Sequence, residues 1–127
     1  MKRILPIFLV ALLLVGCAAP AEEITYRQVN MDEAITMMEE GSGYIILDVR
    51  TPGEFEEKHI PGAINVANET IGTDEIPELQ DKDQLILVYC RSGNRSKQAS
   101  EKLVALGYTN IVEFGGINDW PGETVTE

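Results

Sequence analysis

One stretch of the chain decides its fold: Leu85-Ile86-Leu87-Val88-Tyr89, followed directly by Cys90-Arg91-Ser92-Gly93-Asn94-Arg95-Ser96. Five consecutive apolar residues are typical of a strand that is covered on both faces of a sheet. A predicted helix over residues 96–106 follows the short loop and ends at Gly107, since its apolar residues lie along one face. A buried strand that leads through a tight loop into a helix indicates a parallel α/β sheet.

The remaining sequence repeats this alternation of short strands and helices. Strands are predicted at residues 24–29, 44–49, 63–66 and 111–114, and helices at residues 31–39 and 51–58. Asn30 and Glu33 have the spacing of a capping box at the start of the first helix, which Gly41 ends. We therefore expect one α/β domain over residues 25–127, with helices on both faces of a parallel sheet.

The composition indicates a single folded domain and excludes some classes of partner. The 127 residues include 10 Lys and Arg against 21 Asp and Glu, which gives a formal net charge of −11. Nucleic acid is not expected as a partner, because its binding depends on clustered basic residues that neutralise phosphates. A small anionic substrate is compatible with this charge, since a local field can oppose the net charge. With two Cys and one His in the chain, we expect no metal site and no cofactor.

The first residues have the features of an export signal. Lys2 and Arg3 precede an apolar run over residues 4–15. The run, about twelve residues long, is shorter than the roughly twenty that span a bilayer as a helix. We therefore predict a signal peptide at residues 1–16; a short membrane helix or a buried helix is the alternative.

The end of that run, Leu14-Val15-Gly16-Cys17, resembles the lipobox of bacterial lipoproteins. The resemblance implies cleavage before Cys17 and a lipid on its sulfur, which would anchor the chain to a membrane through more than one acyl chain. Residues 17–24 would form a tether, and the protein would be exported and extracytoplasmic. Cys90 would then be the only free thiol of the mature chain, which is typical of a reactive cysteine or of an intermolecular disulfide.

Cys90 has the position of a nucleophile. It follows the buried strand at the edge of the sheet where open α/β proteins bind ligands, and it precedes a helix N-terminus. Loop amides, together with Arg91 and Arg95, would stabilise the thiolate and lower the pKa of the thiol below its usual value of about 8.5. The alternatives are a buried structural cysteine and arginines that are solvated surface charges. Structural cysteines have apolar surroundings, so this loop favours a reactive thiol.

Four motifs in a fixed order make the sequence resemble a single-domain rhodanese, a sulfurtransferase. They are Leu47-Asp48-Val49-Arg50-Thr51-Pro52-Gly53-Glu54-Phe55, His59-Ile60-Pro61-Gly62-Ala63-Ile64-Asn65, the Cys90 loop, and Gly115-Gly116-Ile117 before Trp120. The resemblance implies a five-stranded parallel sheet with helices on both faces. It also implies that sulfur passes from a donor such as thiosulfate to Cys90, as a persulfide, and then to an acceptor thiol or to cyanide.

The same resemblance implies roles for individual residues. Cys90 would be the nucleophile and persulfide carrier, and the substrate-binding residues would be those of its loop: Arg91, Ser92, Gly93, Asn94, Arg95 and Ser96. The loop N–H groups would surround the sulfur, and the two arginines would attract an anionic donor. Asp48 and Arg50 would be a supporting charge pair that holds neighbouring loops, and His59 would belong to a structural turn.

Three other functions are less well supported by the sequence. Phosphatases related to rhodaneses hold phosphate with a Cys-x5-Arg loop, whereas Arg95 gives a spacing one residue shorter and the next residue is Ser96. A binding module, whether it carries a persulfide or is non-catalytic, is disfavoured by the intact Cys90 loop. A thiol redox sensor would work through oxidation of Cys90, but the sequence has no resolving cysteine near it.

Overall fold

The structure is a computed structural model that describes residues 25–126. The predicted signal peptide at residues 1–16, Cys17 and the predicted tether at residues 17–24 lie outside the described residues. The elements are β1 (Arg27–Gln28), α1 (Met31–Glu40), β2 (Ile45–Asp48), α2 (Pro52–Glu57), β3 (Ile64–Asn65), β4 (Ile86–Cys90), α3 (Asn94–Ala105) and β5 (Ile111–Gly116), with 3₁₀ turns at Asn68–Thr70 and Ile117–Asp119. Between residues 25 and 126, no helix has both the length and the apolar character needed to cross a membrane.

The five strands form one parallel sheet in the order β1-β5-β4-β2-β3. β4 is the central strand, and it pairs with β2 on one side and with β5 on the other. Every residue of β4 is buried. The predictions of a five-stranded parallel sheet and of a doubly covered strand before the loop are therefore confirmed. Because the strands are parallel, the carboxyl ends of β2, β4 and β5 meet at one edge of the sheet.

A hydrophobic core lies on each face of the sheet. On one face, Val88 of β4 shares a core with Leu103 of α3. On the other face, Leu87 of the same strand shares a core with Ala34 of α1. This follows from the strand geometry, in which successive side chains point to opposite faces. Helices therefore cover both faces, as predicted, and Cys90 belongs to the core on the α3 side.

The first helix begins as its sequence predicted. The Asn30 side chain accepts a hydrogen bond from the Glu33 N–H at 2.8 Å, and the Glu33 carboxylate accepts one from the Asn30 N–H at 3.4 Å. α2 begins with the same arrangement between Thr51 and Glu54. Gly41 ends α1 in extended backbone, with φ −111°, rather than in the left-handed conformation that commonly ends helices.

The predicted elements differ from the observed ones mainly at their ends. The first strand pairs over two residues only, because it is an edge strand with a single neighbour. β4 continues to Cys90 and β5 to Gly116, since these two residues are partners across the sheet. α3 begins two residues earlier than predicted, because Gly93, with φ 115°, turns the chain directly into the helix.

Candidate active site

Cys90 is the last residue of the central strand, and its sulfur lies beneath the loop that follows. The residue is 1% exposed. The Gly93 N–H donates a hydrogen bond to Sγ at 3.0 Å, and the Ser96 hydroxyl oxygen lies 3.5 Å from Sγ. The positive φ of Gly93 places its N–H at the start of α3, where it reaches the sulfur. In the described part of the chain, the Gly93 N–H donates to the sulfur and Ser96 Oγ accepts from the thiol. The resemblance implied the N–H groups of residues 91–96 as a set.

The other loop residues form no hydrogen bond with the sulfur. Arg91, Ser92 and Asn94 are exposed, Arg95 is half-buried, and Gly93 and Ser96 are buried. Arg91 lines a cleft of about 280 Å³ together with residues of the loop after β2 and the turn after β5. On another side of the loop, Ser92 and Gly93 line a second cleft, of about 440 Å³. The Cys90 loop thus borders two clefts.

The end of β5 fixes the position of the loop. A Cβ atom added to Gly116 would lie 2.0 Å from the Arg91 carbonyl oxygen, so no larger residue fits there without moving the backbone. Two residues later, the Asn118 N–H donates to that same carbonyl at 3.1 Å. Gly115 has φ 102°, a conformation that favours glycine. The Gly115-Gly116 pair therefore lets β5 pass directly against the Cys90 loop.

Asp48 and Arg50 form a buried ion pair at the end of β2. Arg50 Nη2 lies 2.7 Å from Asp48 Oδ2, and Arg50 Nε donates to both carboxylate oxygens. Arg50 Nη2 also donates to the Lys58 carbonyl at 2.7 Å, which links β2 to the end of α2. Burial alone would lower the pKa of Arg50, but the hydrogen bonds and charge of Asp48 outweigh it and raise that pKa. The pair holds the end of β2 and the end of α2 together.

Arg95 is bound by a carboxylate of α2. Its Nη1 and Nη2 atoms lie 2.8 and 3.2 Å from the two carboxylate oxygens of Glu54. These hydrogen bonds from Arg95 are the main reason that the pKa of Glu54 is lowered to about 2; burial opposes this shift, and hydrogen bonds from Thr51 add to it. Of the two arginines predicted to attract an anionic donor, Arg95 is thus already paired, whereas Arg91 is exposed beside the cleft.

Glu113 is a site residue that the sequence analysis missed. It lies on β5 and is 2% exposed. Its Oε2 accepts hydrogen bonds from the Ser96 hydroxyl at 2.5 Å and from the Gly115 N–H at 3.0 Å. Its Oε1 accepts from Gln28 Nε2 at 3.3 Å. A charged residue inside an otherwise apolar strand that ends in Gly-Gly was the signal that could have identified it.

His59 is part of a structural turn. Its ring stacks on Phe55 with ring centroids 3.6 Å apart, and its Nδ1 lies 2.8 Å from the Phe55 carbonyl oxygen. Its backbone forms a bridge to Val125 near the end of the chain. These contacts place His59 in the packing of the α2 segment rather than at the sulfur. Among residues 25–126, no three His, Cys, Asp or Glu side chains are grouped so that they could hold a metal ion.

Comparisons with known proteins give a matching family model and several similar proteins. A family model described as a rhodanese-like domain matches residues 30–123. The thiosulfate sulfurtransferase PspE of Escherichia coli (strain K12) is 36% identical over 73 residues, which cover 58% of this chain and 70% of that protein. The thiosulfate sulfurtransferase GlpE of Pseudomonas syringae is 33% identical over 105 residues, which cover 79% of this chain and 95% of that protein. The crystal structure of a rhodanese-related protein from Thermoplasma volcanium is 30% identical, with a TM-score of 0.66, and the match covers 80% of this chain and all of that one.

The contact of Gly116 with the loop can be tested by substitution. We expect Gly116→Ala to lower the free energy of unfolding by about 1–3 kcal/mol, because the added methyl group meets backbone that has no room to yield. Urea unfolding followed by circular dichroism measures this change. Gly72→Ala is the matched control, since nothing lies within 4 Å of the added Cβ. Equal stability of Gly116→Ala and the wild type would contradict the close approach.

The Glu54–Arg95 pair predicts a specific dependence of stability on pH. A carboxyl group whose pKa is lowered in the folded state stabilises the fold fully above its unfolded pKa, and this stabilisation is lost as the pH falls through the folded pKa. For Glu54 the window runs from about 4.5 down to about 2. As the pH falls through this window, the free energy of unfolding of the wild type should decrease because the ion pair is lost. For Glu54→Gln, which lacks the pair, we expect this decrease to be smaller by about 1 kcal/mol, the magnitude of a partly exposed pair.

Urea unfolding at a series of pH values gives this difference. Glu56→Gln, an exposed residue of the same helix, is the matched control and should follow the wild type. If Glu54→Gln also follows the wild type down to the lower end of the window, the ion pair does not stabilise the fold.

Proposed function

The chain belongs to the family of rhodanese-like domains, and from that membership we propose that it is a sulfurtransferase that carries sulfur on Cys90. Its relatives PspE and GlpE are named thiosulfate sulfurtransferases, which supports sulfur transfer in general. The finer proposal depends on one observation: the Cys90 sulfur lies at the carboxyl end of the central strand, with the Gly93 N–H 3.0 Å away. A hydrogen bond to the sulfur at a helix N-terminus favours the thiolate, which is the nucleophilic form.

The reaction has two half-reactions. In the first, the Cys90 thiolate attacks the outer sulfur of a donor such as thiosulfate; the S–S bond of the donor breaks, and sulfite leaves with the electron pair of that bond. The product is a persulfide on Cys90. In the second, an acceptor thiolate or cyanide attacks the outer sulfur of the persulfide, and the Cys90 thiolate is the leaving group. Covalent catalysis of this kind gives ping-pong kinetics.

We place the anionic donor at the cleft beside Arg91. Arg50, Lys58 and Arg91 line this cleft, along with Glu54 and Glu57. Arg50 is neutralised by Asp48, and Glu54 by Arg95. Two cations of the cleft, Arg91 and Lys58, then remain uncompensated, against one carboxylate, that of Glu57. The cleft therefore favours a small anion, although the whole chain is acidic. In this proposal Arg91 has the larger share in donor binding, and Arg95 holds the loop.

Two alternatives have less support. A redox sensor that forms a disulfide needs a second thiol, but Cys90 is the only free cysteine between residues 25 and 126, and we assign Cys17 to lipid attachment. A non-catalytic or persulfide-carrying binding module would share the fold of this chain. A non-catalytic module would take up no sulfur in the next experiment, whereas a persulfide carrier would take it up but would not release thiocyanate over repeated turnovers.

Sulfur transfer can be followed by the intact mass of the protein. After incubation with thiosulfate, we expect the mass to increase by one sulfur atom, and we expect cyanide to remove that sulfur and release thiocyanate. Cys90→Ser should show neither change and should fold normally, since the two side chains are nearly the same size. Cys17→Ser is the matched control, and it should take up sulfur like the wild type. Uptake of sulfur by Cys90→Ser, or none by a wild-type protein with reduced Cys90, would contradict the mechanism.

We also propose that the chain is exported and anchored to a membrane through lipid on Cys17. Support comes from the lipobox-like residues Leu14-Val15-Gly16-Cys17 behind an apolar run. When the full chain is expressed in a bacterium, we expect it in the membrane fraction, with residues 1–16 removed and acyl chains on the new N-terminal residue. Cys17→Ala should keep residues 1–16 and carry no lipid. Identical processing of this variant and the wild type, seen by mass spectrometry, would overturn the proposal.

A further inference from the structure

We propose that Glu113 is a positioning residue for the Cys90 thiol: it accepts the thiol proton through the Ser96 hydroxyl and so helps to form the thiolate. The inference rests on the proposed function, because it concerns how the nucleophile of that function is generated. Glu113 lies on β5, 23 residues after Cys90 in the sequence, and the fold brings the two residues to opposite sides of Ser96.

Two short contacts connect the thiol with the carboxylate. Cys90 Sγ lies 3.5 Å from Ser96 Oγ, in the geometry of an S–H donor. Ser96 Oγ lies 2.5 Å from Glu113 Oε2. The single hydroxyl proton of Ser96 has other acceptors within reach, the carbonyls of Gly93 at 3.0 Å and of Gly115 at 3.4 Å. The carboxylate is the nearest of the three and the only charged one, so it is the strongest acceptor for this proton.

Glu113 is a buried carboxylate whose hydrogen-bond donors are all neutral. The carboxylate is 2% exposed, and within residues 25–126 it forms no salt bridge. Its hydrogen bonds come from neutral donors: the Ser96 hydroxyl, the Gly115 N–H and the Gln28 amide. A buried charge without a counter-ion is unfavourable, and among the described residues this carboxylate has no charged partner that competes for the Ser96 proton.

The step conserves atoms and charge. The Cys90 S–H bond breaks and its proton goes to Ser96 Oγ, while the Ser96 O–H bond breaks and its proton goes to Glu113 Oε2. The products are a Cys90 thiolate, an unchanged Ser96 hydroxyl and a neutral Glu113 carboxylic acid. One negative charge moves from oxygen to sulfur, where the Gly93 N–H stabilises it. Cys90 and Glu113 therefore share one proton through Ser96.

The other ionisable groups near this pair do not contact the Ser96 hydroxyl. Lys97 of α3 lines the same cleft as Glu113, with Glu33 of α1 and Asp119 at its border. Tyr26, next to β1, has a raised pKa, mainly through burial and with contributions from the charges of Glu101 and Glu113. Arg95 is held by Glu54, and its pKa is raised chiefly by that residue and slightly by Cys90. Glu113 is thus the acceptor that the Ser96 hydroxyl reaches.

The test is the pH dependence of Cys90 alkylation by iodoacetamide, measured on the full-length protein by the mass of the peptide that contains Cys90. A shared proton predicts two steps in the wild type, with a flat rate between them. In Glu113→Gln we expect a single step that follows the thiol alone. At about pH 6, Glu113→Gln should react at least about tenfold more slowly, because an amide accepts no proton. An equal rate would overturn the proposal, and so would a faster rate, which would show that the carboxylate only repels the thiolate.

Three further variants distinguish the proposal from the alternatives. Ser96→Ala removes the hydroxyl between Cys90 and Glu113 but leaves the hydrogen bonds of Glu113 to Gly115 and Gln28. Its alkylation rate at about pH 6 should therefore also be about tenfold lower than that of the wild type. Ser96→Thr, which restores a hydroxyl, should regain the wild-type rate. If Glu113→Gln does not fold, this pair decides: wild-type rates in Ser96→Ala would overturn the proposal. Glu101→Gln removes an exposed carboxylate from α3, and a similar slowing there would also overturn it, since net charge would then be the cause.

Alkylation involves no sulfur transfer, so the outcomes for this inference and for the proposed function are separate. A wild-type protein that takes no sulfur from thiosulfate, but whose alkylation depends on Glu113, would refute the proposed function and leave the proton acceptor in place. A wild-type protein that takes up sulfur, but whose alkylation is independent of Glu113, would refute the proton acceptor and leave the function in place.

Discussion

The contact between the Gly116 backbone and the Arg91 carbonyl is the constraint on which the site depends. Because β5 carries no side chain at that point, it can run directly beside the Cys90 loop, and Gly116 is the partner of Cys90 in the sheet. The same strand brings Glu113 beneath Ser96, and the turn after it donates the Asn118 N–H to Arg91. One strand end therefore sets the position of the nucleophile, of the loop above it and of the carboxylate beside it.

Much of the fold was predictable because it depends on patterns that are local in the sequence. The apolar run before Cys90 identifies a doubly covered strand, and the spacing of Asn30 and Glu33 identifies a helix start. Strand ends were less predictable, because they depend on pairing with the neighbouring strand. β1 is short because it pairs with β5 over only two residues, whereas β4 and β5 are longer than predicted because Cys90 pairs with Gly116. The position of Cys90 at the carboxyl end of the central strand was predictable by the same logic, since parallel strands deliver their ends to one edge.

The side-chain partners within the site were not predictable, because they join residues that are distant in the sequence. In the sequence, Arg95 has no neighbouring acidic residue and is interpreted as a free cation of the loop. In the structure it is bound by Glu54, which lies 41 positions earlier. In the sequence, Glu113 is one more acidic residue of an acidic chain, and only the fold brings it within hydrogen-bond distance of Ser96. A net charge of −11 therefore says little about the site. There, Asp48 with Arg50 and Glu54 with Arg95 are compensated in pairs, and the local field depends on the charged groups that are left over.

The two edges of the sheet have a consequence for how the protein behaves in concentrated solution. β1 and β3 form the edges, and each is only two residues long. A long, flat edge strand offers unpaired backbone groups to which another chain can add a strand, and such edges promote aggregation. Here the long strands β4 and β5 are interior, and each edge offers too few backbone groups to hold a ladder. The order of the strands thus protects the sheet against strand-by-strand association with other molecules.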